Sequence, residues 1–109
     1  MLEGLFGNVI IEKIFFFLIT YKEGYPFGMA KTFGVPVNRI QQQLKRLEDS
    51  GIVASRLVGK VRLYTFNPGY PFLKELEALI ATAFNFIPDA EKEKFYRRRT
   101  RPRRAGKPQ

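Results

Sequence analysis

Two helical patterns separated by a glycine and a proline constrain the fold more than any other feature of this chain. Apolar residues recur at helical spacing within PFGMAKTF (residues 26–33) and again within VNRIQQQLKRLED (residues 37–49). Between them, Gly34 can adopt a left-handed backbone conformation at little cost, and Pro36 presets the backbone angle at which a new helix begins. The sequence therefore predicts two helices that meet at a sharp turn, as in helix-turn-helix motifs.

The second of these helices is predicted to have one apolar face and one polar face. Its apolar residues Ile40, Leu44 and Leu47 recur at helical spacing. Amides can pair with an adenine edge, while Arg and Lys suit guanine acceptors and phosphates, so an amide-and-cation face suits the major groove of DNA. An ordinary solvated face is the alternative, although residues 25–45 contain no acid. The polar face consists of Asn38, Arg39, Gln41, Gln42, Gln43, Lys45 and Arg46.

Two strands around Gly59 are predicted to follow. Residues 52–58 and 61–67 are rich in strand-forming residues, and the two-residue Gly-X loop between them favours a type II′ hairpin. A hairpin that is apolar at its base and basic toward its tip suits contact with DNA phosphates or the minor groove, and a plain surface hairpin is the alternative. The turn predicts a register that pairs Val53 with Phe66, Ser55 with Tyr64, and Leu57 with Arg62. The candidate DNA contacts are Arg56, Lys60 and Arg62.

Helical periodicity returns on both sides of this unit, over residues 9–22 and 72–84. The first of these helices is apolar on all sides, which a small monomer can hardly bury. We therefore expect a homodimer interface formed by Ile11, Phe15, Ile19 and the helix over residues 72–84. The alternative is that the last helix of the same chain covers these side chains.

Composition excludes most catalytic and metal chemistry. The chain has 109 residues, enough for one modest core, and contains no Cys and no His. Disulfides, thiolate nucleophiles, imidazole bases and the usual zinc ligands are therefore excluded, and we expect no enzyme activity, no cofactor and no metal site. Neither a secretory signal nor a membrane-spanning apolar segment is evident, so we expect a cytoplasmic, nucleoid-associated protein of a prokaryote without membrane contact.

Positive charge is concentrated at the C-terminal end. Residues 97–109 contain seven Lys or Arg and no acid, which leaves a net charge of +2 on residues 1–96 out of a total of +9. This segment is predicted to be disordered and to contribute affinity for the DNA backbone. RNA, an acidic protein and an acidic membrane surface are alternative partners. Its candidate DNA contacts are Arg97, Arg98 and Arg99.

Four sequence motifs in fixed order resemble the bacterial and archaeal winged helix-turn-helix transcription regulators of the ArsR/MarR-like type. They are LFGN before the first helix, AKTFGV at the turn, LKRLEDSGIV from Leu44 and YTFNPGYP from Tyr64, and the likeness covers Leu5 to about Phe84. It implies a mainly α, α+β fold, with a three-helix core, a two-stranded wing and a C-terminal helix.

The resemblance also implies roles for individual residues. In that family the second helix of the motif reads the major groove, the hairpin is the wing, and terminal helices form a homodimer. The metal-sensing members use Cys or His ligands that this chain lacks. Carried over, the base-reading residues would be Asn38, Arg39, Gln41, Gln42 and Lys45, and the wing contacts would be Arg56, Lys60 and Arg62.

These observations predict a sequence-specific regulator of transcription that binds double-stranded DNA as a homodimer. We expect a DNA-binding and dimerisation domain over residues 1–86, a short helix over 87–96 and the basic tail over 97–109. A short edge strand is expected at Tyr25. The alternatives are a protein- or RNA-interaction module and an architectural DNA binder without sequence choice. Whether an effector enters the aromatic space around Phe15, Phe16 and Phe84 stays open.

Overall fold

Six helices and a three-stranded antiparallel sheet form residues 1–97, which are the residues described by the structure, a computed structural model. This architecture confirms the predicted α+β fold, with a short first helix that was not predicted. The edge strand expected at Tyr25 forms just before it, at Glu23–Gly24. In chain order the elements are α1 (Glu3–Phe6), α2 (Val9–Tyr21), β1 (Glu23–Gly24), α3 (Pro26–Phe33), α4 (Val37–Asp49), β2 (Val53–Val58), β3 (Val61–Phe66), α5 (Leu73–Phe84) and α6 (Asp89–Phe95).

The turn between α3 and α4 forms as predicted. Gly34 has a positive φ of 68°, and its N–H donates to the carbonyl of Ala30 in the last turn of α3. Pro36 then caps α4 with an extended backbone, at φ −60° and ψ 141°. The two helices therefore meet at a fixed angle, which sets the direction in which the polar face of α4 points.

The hairpin also has the predicted register. Val53 pairs with Phe66 at its base and Val58 pairs with Val61 beside the turn. Gly59 has φ 63°, while Lys60 has no positive φ, which is the pattern of a type II′ turn. On its other edge β3 pairs with β1, where Gly24 lies opposite Tyr64, so the strand order is β1-β3-β2.

Helix α2 lies at the centre of the core, and this corrects the predicted dimer interface. Ile11 and Phe15 are only 3% and 2% exposed within the single chain. The Phe15 ring packs 5.0 Å from Phe6 of α1 and 5.8 Å from Phe66 of β3, measured between ring centroids. These two side chains are therefore covered by their own chain and are not available to a partner, while Ile19 is half-buried. The prediction was therefore wrong for Ile11 and Phe15, because α1 and the base of the hairpin cover them.

The segment after α5 closes the other side of the core. Tyr96 is 4% exposed, and its ring lies 5.8 Å from Phe16 and 5.5 Å from Phe84. The hydroxyl of Tyr21 donates to the backbone carbonyl of Phe95 at 2.9 Å and so ties α2 to the end of α6. The space between the rings of Phe16 and Phe84 is thus occupied by Tyr96 of the same chain. Within residues 1–97, no helix is both long and apolar enough to cross a bilayer.

Candidate nucleic-acid interface

The polar face of α4 is open to solvent along the whole helix. Ile40 and Leu44 are fully buried and Leu47 is 4% exposed, so one face of the helix is used to pack on the core. Because the apolar face of α4 packs on the core, the opposite, polar face of the helix points toward solvent. The exposed residues of that face include six of the seven predicted from sequence: Asn38, Arg39, Gln41, Gln42, Lys45 and Arg46.

Gln43 differs from its neighbours because it anchors α4 to the start of α2. Its side-chain oxygen accepts a hydrogen bond from the amide of Asn8 at 3.0 Å. The oxygen of Asn8 in turn accepts from the backbone N–H of Ile11 at 2.8 Å and caps α2. Arg46 lies on the same side of α4, with its guanidinium close to Gly7. This edge of α4 thus adjoins α1, and the opposite edge faces the hairpin.

A chain of hydrogen bonds links that opposite edge to the hairpin. The hydroxyl of Ser55 donates to a carboxylate oxygen of Glu48 at 2.8 Å. Arg62 donates through Nη1 to the same hydroxyl at 3.0 Å. Burial, and to a smaller extent the charge of Glu48, raise the pKa of the neighbouring Tyr64 above its usual value. The hydrogen bonds through Ser55 hold Arg62 toward α4, and its side chain is still exposed to solvent.

The other predicted cations are exposed but differ in their contacts. Arg56 lies on the opposite face of the hairpin, with its Nη2 3.8 Å from a carboxylate oxygen of Glu23 in β1. Lys45 pairs with Asp49 one turn later on α4, at 3.2 Å. Both pairs are solvent-exposed, so each costs little to exchange for a phosphate. Lys60 is exposed at the turn of the hairpin.

A groove of about 390 Å³ runs between α4, the start of α3 and the hairpin. Sequence reasoning missed its aromatic wall, where Phe27 is 75% exposed and Tyr25 is 41% exposed. The signal was present, because Phe27 lies off the buried stripe of α3 formed by Met29, Ala30 and Phe33. The side chains that line the groove include Tyr25, Phe27, Gln41, Lys60, Arg62 and Tyr64.

Comparison with known proteins identifies the fold. No family model and no curated protein sequence matches this chain. A solved structure of a single-site mutant of Lactococcus lactis ZitR matches with a TM-score of 0.51 and 18% identity, over 79% of this chain and 66% of that chain. This chain thus spans just under two thirds of that structure's length. The chain has a winged-helix fold.

Two further ZitR structures match less well. A double mutant has a TM-score of 0.49 and 16% identity, over 75% of this chain and 64% of that chain. The same double mutant in apo form has a TM-score of 0.49 and 17% identity, over 83% of this chain and 78% of that chain.

In the winged helix, α3 and α4 are the helix-turn-helix and the β2–β3 hairpin is the wing, which β1 extends to three strands. Arg97 is exposed at the end of the described residues, 3.9 Å from Glu93. Arg98 and Arg99, with the rest of the predicted tail, lie outside the described residues. Across residues 1–97, no group of three or more acidic, His or Cys side chains could hold a metal ion.

Proposed function

We propose that this protein is a DNA-binding transcription regulator, with α4 in the major groove and the wing on the adjacent sugar-phosphate backbone. The observation that carries this proposal is the continuous exposed face of amides and cations on α4, which stands beside a basic wing. Similarity of fold to ZitR, a DNA-binding transcription regulator, supports the same class of function.

Sequence choice would come from the centre of the exposed face of α4. Asn38 and Gln42 lie one turn apart there, and neither side chain is held by another residue within residues 1–97. An amide that is free to donate and accept together can pair with an adenine edge, which contributes about 1–3 kcal/mol of discrimination. These two residues are therefore our candidates for base reading.

Affinity would come from cations at the edges of the same face. Arg39 and Lys45 flank the amides on α4, while Lys60 and Arg62 project from the wing. Contacts from such residues to phosphates position the protein without reading sequence and make binding salt-dependent. Because residues 98–109 add six more Lys or Arg, we expect the tail to strengthen binding to every sequence.

A homodimer is part of the proposal, and its surface keeps the expected helix over residues 72–84 but not the buried Ile11 and Phe15. Phe72, Leu79 and Phe86 are 65%, 38% and 73% exposed, and they recur every seven residues along α5 and its two ends. Phe72 directly precedes α5 and Phe86 follows its last residue by two, and we assign the three side chains to one surface that a second copy of α5 could cover. Two copies related by a two-fold axis would present two α4 helices to a symmetric DNA site.

Selection from random duplexes followed by binding measurements tests the proposal. We expect enrichment of an inverted repeat. Gln42→Ala should then weaken binding to the selected site by roughly 5- to 150-fold and change binding to random duplex much less. Arg62→Ala should weaken both equally and reduce the salt slope by about 0.9 for the lost phosphate contact. Lys74→Ala removes an exposed cation of α5, away from α4 and the wing, and is the matched control for Arg62→Ala.

The same experiment separates the rival functions. Tight binding without enrichment of any motif would indicate an architectural DNA binder. An absence of duplex binding would instead favour a module for protein or RNA. Equal loss on the selected site and on random duplex for Gln42→Ala would contradict base reading by that residue.

A further inference from the structure

We propose that the groove beside the wing binds a DNA base that has left the helical stack, with Phe27 and Tyr25 as the stacking surface. This inference rests on the proposed function, because it assigns a second kind of contact to the same DNA-binding face. It concerns residues that the helix-turn-helix pattern does not explain.

The exposure of Phe27 is a consequence of how α3 is anchored. Met29 is fully buried, and Ala30 and Phe33 are 7% and 9% exposed, which fixes the side of α3 that faces the core. Phe27 lies off this side in the first turn of the helix and is 75% exposed. An exposed aromatic ring beside a candidate DNA-binding helix is available to a ligand without any rearrangement of the core.

The rest of the groove has the chemistry that a nucleotide requires. Lys60 and Arg62 lie on the wing side, and Gln41 of α4 contributes an amide. No acidic side chain lines the groove in the part of the chain that the structure describes. Arg62 is held in place by its 3.0 Å hydrogen bond to Ser55. Cations that follow the backbone combined with aromatic rings that stack on bases are the recurring arrangement for unpaired nucleotides.

A fully paired duplex cannot use this aromatic surface well. Its bases are stacked on one another, so an aromatic ring at the backbone meets mainly sugars and phosphates. A base that is mismatched, bulged or already unpaired costs less to bring out of the stack. We therefore expect the protein to prefer a duplex with one unpaired nucleotide near the wing by roughly tenfold over the matched duplex.

A tryptophan reporter tests this directly, because the chain contains no Trp. In Phe27→Trp the only indole lies in the groove, and stacking on a base should quench its fluorescence. We expect stronger quenching by the selected duplex carrying one unpaired nucleotide than by the same duplex fully paired. Ala81→Trp is the matched control, since Ala81 is exposed, lies outside the groove and is on the side of α5 away from the proposed dimer contact. Its fluorescence should respond equally to both duplexes.

Affinity measurements complete the test. Phe27→Leu keeps an apolar side chain but removes the ring, so it should lose the preference for the unpaired nucleotide and keep binding to the matched duplex. Equal affinity of the unmodified protein for the two duplexes, or equal quenching of Phe27→Trp by both, would overturn the inference while leaving the proposed function intact. Failure of the unmodified protein to bind any matched duplex would overturn the proposed function itself.

Discussion

At the scale of single residues, Tyr96 combines close packing with an unmatched polar atom. Its ring fills the space between Phe16, Phe33 and Phe84, at centroid distances of 5.8, 5.9 and 5.5 Å. Its hydroxyl is buried and has no hydrogen-bond partner within residues 1–97. Burial therefore raises the pKa of Tyr96 far above its ordinary value of 10.0, because the phenolate would have to form in an apolar surrounding.

Two substitutions at Tyr96 separate the contributions of ring and hydroxyl. Tyr96→Phe should leave the free energy of unfolding unchanged or raise it by about 1 kcal/mol, because it removes an unpaired buried polar group. Tyr96→Ala should lower it by about 3 kcal/mol or more, because it leaves a cavity among aromatic rings. Urea unfolding at neutral pH measures both. A loss of stability in Tyr96→Phe similar to that in Tyr96→Ala would show that the hydroxyl has a partner.

The raised pKa of Tyr96 also fixes the sign of a pH dependence. When the pKa of a group is higher in the folded state than in the unfolded state, its contribution to the free energy of unfolding is fully present below the unfolded pKa. This contribution is lost as the pH rises from the unfolded pKa through the folded pKa. The protein should therefore lose stability above about pH 10. Tyr96→Phe should lose less stability over the same pH range. Part of the pH dependence should remain in this variant, because burial also raises the pKa values of Tyr21 and Tyr64. Identical alkaline profiles for the two proteins would contradict this assignment.

At the scale of elements, the short strand β1 depends on a glycine for close packing. A Cβ atom added at Gly24 would lie 2.5 Å from Cε1 of Phe17 and 2.9 Å from Cε of Met29. Met29 is fully buried, so its side chain has little room to move away from such an atom, and Phe17 is half-buried. The approach of β1 to α2 and α3 is therefore possible only where the strand carries no side chain.

Gly24→Ala should lower the free energy of unfolding by about 1–3 kcal/mol, as expected for overpacking. Gly28→Ala in α3 is the matched control, because an added Cβ meets nothing within 4 Å there. That control should raise stability by about 0.5–1 kcal/mol, since alanine favours a helix more than glycine does. Thermal or urea unfolding of the three proteins gives the comparison. Equal effects of the two substitutions would show that β1 can move away from α2.

The elements that the sequence predicted are those specified by local chemistry. The turn at Gly34 and Pro36 depends on the conformations of these residues, and the hairpin register follows from a two-residue loop. By contrast, α1 was not predicted and β1 was expected at Tyr25 rather than at Glu23–Gly24, because both form only where the rest of the chain offers a surface to pack on. The exposed face of α4 could be predicted for the same local reason, because helical periodicity alone separates its two sides.

Properties that need several elements at once were not predictable. Ile11 and Phe15 form a second apolar stripe that was assigned to a partner subunit, yet α1 and the base of the hairpin cover them. The groove at Phe27 exists only because α3, α4 and the wing converge, so no single stretch of sequence contains it. Sequence periodicity gives the faces of one helix, whereas burial depends on what the other elements cover.

At the scale of the whole molecule, a chain with a single α4 needs a second copy to select a long DNA site. One recognition helix contacts only a few base pairs, so two copies in fixed relation are needed for an inverted repeat. The apolar stripe of Phe72, Leu79 and Phe86 is the surface we assign to this contact. Ile80 and Ala83 of α5 are buried in the core. Two copies joined at α5 would therefore hold their two α4 helices in a fixed relation.

Leu79→Glu tests this contact, because a charge at the centre of the stripe should prevent two copies of α5 from packing together. Leu79 is 38% exposed in the single chain, so each subunit should still fold. Light scattering should show that the mass falls from that of two 12.7 kDa chains to that of one, and affinity for an inverted repeat should fall far more than affinity for a half-site. Ala81→Glu introduces the same charge at an exposed position on the other side of α5 and should leave the dimer intact. If Leu79→Glu is still a dimer at the same protein concentration, the stripe does not lie in the interface and the two copies contact each other through another surface.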